Sequence, residues 1–464
     1  MTSEIRDSDP LSTSFDHDMP HVASPASRTG WTRSEAVRAR RSVRGRIAKA
    51  RPASRARRKA RGWTRILARA VSSIVRTGQL EIWLPNGTCI RAGDNTGEPV
   101  VVRIENEKFV RRLLLDPDMA LGEGYMNGDL TVAGDDIYGL LDLAIRNISL
   151  GHSNWLRRNL LRSRVALRRF AQHNPIRRAH RNVAHHYDLS GELYSLFLDA
   201  DRQYSCAYFR SPDVTLEQAQ KDKKAHIARK LLIEPGMSVL DIGCGWGGMG
   251  LTLAEDHGAT VTGVTLSAEQ HKVACARASA AGLQDRVAFR LEDYRDVRET
   301  FDRIVSVGMF EHVGVPHYRE FFRNLRERLS DDGVALLHTI GRSDRPGITN
   351  PWIAKYIFPG GYCPAMSEVM KAIEKEGLIV TDVEVLRIHY AETLRHWRDR
   401  FEANIDRVRE IYDDRFCRMW RFYLIGSELS FRHDDQVVFQ IQLTKNLNAA
   451  PITRDYMTAN DRAT

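Results

Sequence analysis

Between about residues 185 and 445, short apolar runs alternate regularly with longer amphipathic ones. "MSVLDIGCG", "TVTGVTL", "VAFRLED", "FDRIVSVGMF", "GVALLHTIG", "LIVTDVEVL" and "QVVFQIQLT" read as strands. Helical segments such as "GMGLTLAEDHG", "AEQHKVACARASAAG", "YREFFRNLRERLS" and "SEVMKAIEKEG" separate them. Strands that are apolar along their whole length are buried on both faces, and helices of this length supply the crossovers that parallel neighbours require. The expectation is an α/β domain over 185–445 with a mostly parallel seven-stranded sheet covered on both sides.

The sequence upstream has a different character. "GQLEIWLPNGTCIRAG" reads as a hairpin turning at Asn86-Gly87, with Leu80, Ile82 and Leu84 alternating before it. A strand and helix in "PVVVRIENEKFVRRLLLDP", then a helix ending near residue 150, complete a small α+β domain over 61–150. Residues 1–60 are rich in Ser, Asp, Arg and Ala with little apolar periodicity, and are expected to be a disordered basic tail. "WLRRNLLRSRVALRRF" predicts a basic amphipathic linker helix within 151–184, with Leu156, Leu160, Leu167 and Phe170 on one face. Residues 446–464 read as a C-terminal tail.

Charge is unevenly distributed. The net charge is +10, but Trp31 to Ala70 alone holds 15 Lys/Arg against one acid, Glu35. Such asymmetry points to an anionic partner, either nucleic acid or acidic lipid headgroups. No run reaches the roughly 18–20 apolar residues of a membrane span, and the polar N-terminus does not resemble a secretory signal. The six cysteines have neither CxxC nor zinc-ligand spacing, so no metal site is expected and a reducing cytoplasm fits.

The first strand runs into "VLDIGCGWGG". Gly243, Gly245 and Gly247 permit a tight turn and close approach of a cofactor to the backbone. Asp241 just before the loop suits a cationic amine, and the spacing lacks the final x-x-G of dinucleotide sites, which favours S-adenosylmethionine. The second strand ends at Thr265 instead of the acid that usually meets a ribose; Gln270, one helical turn on, can supply that hydrogen bond. Asp293 and Tyr294 follow the third strand, near the adenine position. The fourth strand, "VSVGMFEHVG", ends at Glu311, and the fifth places His338 where its own apolar run stops. Both fall where ligands bind in such sheets, outside the carboxyl ends of strands at the switch point.

These blocks, with "HHYDLS" (185–190), "QYSCAYF" (203–209), "YIFPGG" (356–361) and "HYAETL" (389–394), resemble the cyclopropane-fatty-acyl-phospholipid synthases and mycolic acid cyclopropane synthases. "LGEGYMNGDL" (121–130) extends the likeness into the small domain of the phospholipid-acting branch. The resemblance implies a class I S-adenosylmethionine-dependent methyltransferase fold, Rossmann-like, and a bicarbonate ion acting as general base. By motif the bicarbonate would sit at Cys206, Glu311, His338, Ile340 and Tyr390, with Cys206 and Ile340 acting through backbone groups. Cofactor contacts would add Tyr204, Ser205 and Arg295. Implied partners are a phospholipid bilayer with unsaturated chains, anionic lipids favoured, approached peripherally from the cytoplasmic side, and a homodimer is plausible. No specific nucleic acid is expected, although the basic tail by itself does not exclude RNA. The reaction so implied closes a cyclopropane ring; the alternative within the fold leaves a methyl or methylene branch.

Overall fold

The computed structural model describes residues 54–151 and 191–458. Its contacts separate Met1–Arg51 from Pro52–Thr464, and the first of these units lies wholly outside the described residues. So do residues 152–190, which carry the expected linker helix and "HHYDLS", and residues 459–464.

The small domain opens with α1 (Ser54–Ile74), which starts inside the segment read from sequence as an unstructured tail. Then come β1 (Gln79–Trp83), β2 (Cys89–Gly93), β3 (Val100–Ile104), α2 (Glu107–Leu115), α3 (Pro117–Asn127), β4 (Leu130–Val132) and α4 (Ile137–Ser149). The sheet order is β2-β1-β3-β4, with only β1 and β3 parallel. Leu80, Ile82, Ile90, Val102 and Ile104 point inward at period two, as a half-buried sheet requires. Asn106 caps α2, its side chain accepting from the Phe109 N–H at 2.8 Å.

The large domain comprises α5 (Gly191–Phe197), α6 (Leu216–Lys230), β5 (Ser238–Ile242), α7 (Gly248–His257), β6 (Thr260–Thr265), α8 (Ala268–Ala280), β7 (Val287–Leu291), β8 (Phe301–Val307) and α9 (Tyr318–Arg328). It continues with β9 (Leu329–Arg342), α10 (Pro351–Tyr356), α11 (Met366–Lys375), β10 (Ile379–Leu386), α12 (His389–Ala403), α13 (Ile405–Ile411), α14 (Asp414–His433), β11 (Gln436–Thr444) and α15 (Asp455–Thr458). The seven strands order as β10-β11-β9-β8-β5-β6-β7, and β11 alone runs against its neighbours. The sheet therefore matches the mostly parallel expectation. The chain reverses its direction of travel between β5 and β8, which opens a crevice at their carboxyl ends.

The two domains share apolar surface. Ile425 and Leu429 of α14 complete the core of the small domain. Trp352 of α10 is buried against α3, its indole Nε1–H 3.3 Å from Met126 Sδ. Lys355 Nζ and Tyr356 Oη donate to Glu123 Oε1 at 2.7 and 2.8 Å. The segment read as a C-terminal tail also packs: Met457 is buried, and its carbonyl accepts from Arg229 Nε at 2.8 Å.

Candidate active site

A cleft at the carboxyl ends of β5, β6 and β8 holds about 1270 Å³ of free space, its mouth included. It is lined by Tyr204, Ser205, Asp241, Gly243, Gly245, Thr265, Gln270, Asp293, Tyr294 and Arg295, all chosen from sequence. Gly247 does not line it. At φ 87° Gly247 starts α7, and a Cβ there would sit 2.7 Å from the Phe289 ring, so this glycine serves the turn and its packing. Gly245 is also left-handed, but a Cβ on it would meet nothing within 4 Å, so its face is open to the cleft.

Asp241 is 1% exposed and its Oδ2 has no hydrogen-bond partner among the described residues. Burial pushes this carboxyl up to about 7, with the Lys223 charge pulling against it. An orphaned buried carboxylate oxygen facing a cavity is the arrangement a cationic amine would complete. The Thr265 hydroxyl donates to Gln270 Oε1 at 3.2 Å, and Ser267 caps α8, which fixes Gln270 at the rim. Arg295 holds both oxygens of Asp293, Nε to Oδ1 at 2.8 Å and Nη2 to Oδ2 at 2.7 Å. This fork leaves the Tyr294 ring braced between the Arg295 guanidinium and the edge of Phe321.

The five residues assigned to anion binding lie outside the lining of that cleft, in a more enclosed cluster. Glu311 sits on the turn Phe310–His312 after β8. Its Oε1 accepts the Ile340 N–H at 2.5 Å, while Oε2 is buried without a partner among the described residues. The Ile340 N–H is therefore already engaged by Glu311. Burial pushes Glu311 up to about 7. His338, 2% exposed on β9, pairs through Nδ1 with Gln440 Nε2 on β11 at 3.1 Å. Burial first, then the Lys223 and Lys230 charges, pulls His338 down to about 3, so it is neutral at physiological pH. Where the glutamine amide donates to Nδ1, the neutral ring carries its proton on Nε2. Tyr390 is held well above its ordinary value by burial, then by Tyr423, Cys206 and Glu311, so its hydroxyl stays protonated. Cys206 is 1% exposed, its thiol raised by burial and directed at the Ala207 carbonyl at 3.3 Å, which leaves it no thiolate character.

Several participants escaped the sequence reading. Tyr423 meets Tyr204 hydroxyl to hydroxyl at 2.8 Å. Cys363, raised to about 12 by burial and by Glu311, lies close enough to that carboxylate to feel its charge. Gln440 had a legible signal, since glutamines recur inside the otherwise apolar "QVVFQIQLT". Lys223 had none, because "KDKKAH" reads as a solvated charge run. His312, the residue after Glu311, lines the cofactor cleft.

Comparison with known proteins identifies the family and the fold. A family model described as mycolic acid cyclopropane synthetase matches residues 174–441. The cyclopropane-fatty-acyl-phospholipid synthase of Escherichia coli (strain K12) is 37% identical over 354 residues, which are 76% of this chain and 90% of that protein. The tuberculostearic acid methyltransferase UfaA1 of Mycobacterium tuberculosis (strain ATCC 25618 / H37Rv) is 39% identical over 280 residues, 58% of this chain and 65% of that one. Among solved structures, mycolic acid cyclopropane synthase CmaA1 complexed with SAH and CTAB superposes with a TM-score of 0.55 at 34% identity, covering 59% of this chain and 99% of that one. With the glycine loop, the switch-point cleft and the ends of β8 and β9 all falling inside the matched region, the chain belongs to the mycolic acid cyclopropane synthetase family and is an enzyme with the S-adenosylmethionine-dependent methyltransferase fold.

Proposed function

We propose that the protein transfers a methylene group from S-adenosylmethionine to the cis double bond of an unsaturated acyl chain in a membrane phospholipid, closing a cyclopropane ring. One observation carries the proposal: two buried carboxylates, Asp241 and Glu311, each keep one oxygen without a partner among the described residues. The first lines the cleft, and the second is buried outside that lining, beside Ile340. A site that leaves two such oxygens unsatisfied is suited to two ligands with complementary groups. The relatives named above support the reaction class.

In this reading Asp241 takes the cofactor's amine, Gly243 and Gly245 allow its close approach, and Gln270, Tyr294 and Arg295 fix the nucleoside end. S-adenosylmethionine supplies an electrophilic methyl group. Glu311 would hold the O–H of a bicarbonate, with neutral His338 and protonated Tyr390 as its donors. Bicarbonate supplies the base that removes a proton from the transferred carbon. The walls around Tyr390 exclude water: Trp397 and Trp420 are buried, Tyr204 stacks on Trp397 at 5.1 Å, and Phe358 meets Tyr423 edge-on. Water exclusion matters because a cationic acyl chain reached by water ends as an alcohol.

Among the described residues no helix is long and apolar enough to cross a membrane. Access to a bilayer lipid then calls for docking at the surface, from the cytoplasmic face in this reading. α1 presents exposed Arg65 and Arg69 beside Ile66, which is 50% exposed. Basic residues near an anionic leaflet contribute about 1 kcal/mol each. The 39% identity to a tuberculostearic acid methyltransferase favours one second reading, methylation without ring closure. Expression in a host lacking cyclopropane lipids, with NMR of its fatty acids, separates the two. A ring methylene is expected; a branched chain installs the second reading, and unchanged lipids overturn both.

A further inference from the structure

We propose that Lys223 is a positioning residue for the cofactor: its buried ammonium ties down residues 203–205 and sets a positive charge behind Ser205, in the wall of the cleft that Asp241 also lines. The proposal rests on the assignment of the cleft to S-adenosylmethionine.

Lys223 lies on α6, capped by Thr215, and is 0% exposed. Lysines are rarely buried to this degree without a carboxylate partner. Here Nζ donates to two neutral oxygens, Gln203 Oε1 at 2.6 Å and Ser205 Oγ at 2.8 Å. One turn earlier on the same face, Gln220 Nε2 donates to the Ser205 carbonyl at 3.0 Å and the Gln203 carbonyl at 3.4 Å. α6 thus grips both flanks of Tyr204, whose neighbours lead from the cofactor cleft at Ser205 to the enclosed cluster at Cys206.

The charged and titratable groups around the ammonium come from α6 itself and from three further elements, the loop after α5, β5 and β9. Asp199 and Asp201 face it from the loop after α5, Asp241 from β5, and Lys224 from α6 itself. Cys206 and His338 also register its field. Asp201 is already paired with Lys224 at 2.6 Å and with Arg277, and Asp199 accepts the Gln203 N–H at 2.8 Å. Asp241 has no such partner at Oδ2, and Lys223 is the charge that opposes its burial. Burial lowers the lysine itself only to about 8, so it remains cationic at neutral pH. Cys244, next to Asp241 on the glycine loop, is raised by burial and stays a neutral thiol.

The test is calorimetric binding of S-adenosylhomocysteine to the full chain between about pH 6 and pH 9, for wild type, Lys223→Met and Lys223→Gln. Glutamine keeps a donor for the same oxygens without the charge, so it serves if the methionine variant does not fold. Wild-type affinity is expected to fall as pH drops through about 7, where Asp241 protonates. In the variants that fall should begin about one pH unit higher, leaving binding at pH 7 about fivefold weaker, with the gap narrowing towards pH 9. A pH profile superimposable on wild type, even at uniformly reduced affinity, overturns the proposal. Failure of the wild type to bind at any pH is a separate result, because it overturns the cofactor assignment itself.

Discussion

Replacing Glu311 by glutamine removes a charge and keeps a shape. In the folded protein the carboxyl is raised from an ordinary 4.5 to about 7 by burial. The folded state therefore holds this proton to higher pH than the unfolded chain does. Its contribution to stability is complete below 4.5 and is lost as pH rises through about 7. A displacement of that size corresponds to about 3 kcal/mol. Glutamine imitates the protonated acid: one oxygen still accepts the Ile340 N–H, and the amide nitrogen takes the place of the unpartnered Oε2. The variant should accordingly be inactive, yet more stable than wild type above about pH 8 by roughly 3 kcal/mol, with near-equal stability at pH 4.5. Guanidinium unfolding followed by circular dichroism, in bicarbonate-free buffer, measures the difference. Every other titrating group is common to both proteins, so their contributions cancel in the comparison. Parallel stability-against-pH curves for the two proteins would refute the reasoning, since they would mean that Glu311 is ionised at no cost.

Gln440→Leu removes the partner of His338 Nδ1 while filling the same buried space. Turnover should fall about tenfold or more, as expected for loss of one hydrogen bond that orients a buried polar group, with S-adenosylhomocysteine affinity unchanged; equal losses in both would mark a general packing defect. Gly122→Ala places a Cβ 2.6 Å from Trp352 Cδ1, and the overpacking should cost about 1–3 kcal/mol despite the better helix former. Gly426→Ala, in α14 with nothing within 4 Å of its Cβ, should instead stabilise by up to about 1 kcal/mol; denaturation midpoints moving in the same direction for the two variants would contradict the interdomain contact. Arg65→Glu with Arg69→Glu should weaken sedimentation with phosphatidylglycerol vesicles at low salt and leave binding to neutral vesicles unchanged, and a double variant that binds both like wild type would remove α1 from membrane docking.

The large sheet was legible because its strands are buried on both faces, so each appears as an uninterrupted apolar run whose end marks the crevice. That same logic exposed Asp241, Glu311 and His338, each a polar residue where an apolar strand stops. Residues that act from helices were harder to see. Lys223 is three residues beyond Gln220 on one face of α6, but its neighbours in sequence are charged and mask its burial. Tyr423 and Cys363 reach the cluster from α14 and from the loop before α11, and only tertiary folding brings them near Glu311 and Tyr204. The sequence also placed Gly247 among the cofactor contacts because spacing alone does not separate a glycine that faces a ligand from one that admits a phenylalanine ring.

The buried polar residues also follow a line. His338, Gln440 and Glu384 are register partners on β9, β11 and β10, so they lie abreast across three adjacent strands. From the covering helix, Lys230 Nζ and His226 Nε2 both reach Glu384 Oε2, at 2.5 and 2.6 Å. A sheet this apolar would be more easily stabilised by leucine at these positions, because burying charge costs more than its pairing returns unless every group is satisfied. The row instead delivers a neutral imidazole, paired with Gln440, to the buried cluster that contains the unpartnered oxygen of Glu311. Asp241 and Glu311 fit the same pattern from the other side, each costing folding energy that a ligand would return. The protein should therefore gain stability when both sites are filled, and S-adenosylhomocysteine with bicarbonate should raise its unfolding midpoint more at about pH 8 than at pH 6, where protonation already relieves the two acids. An equal shift at both pH values would mean that the carboxylates are not what the ligands satisfy.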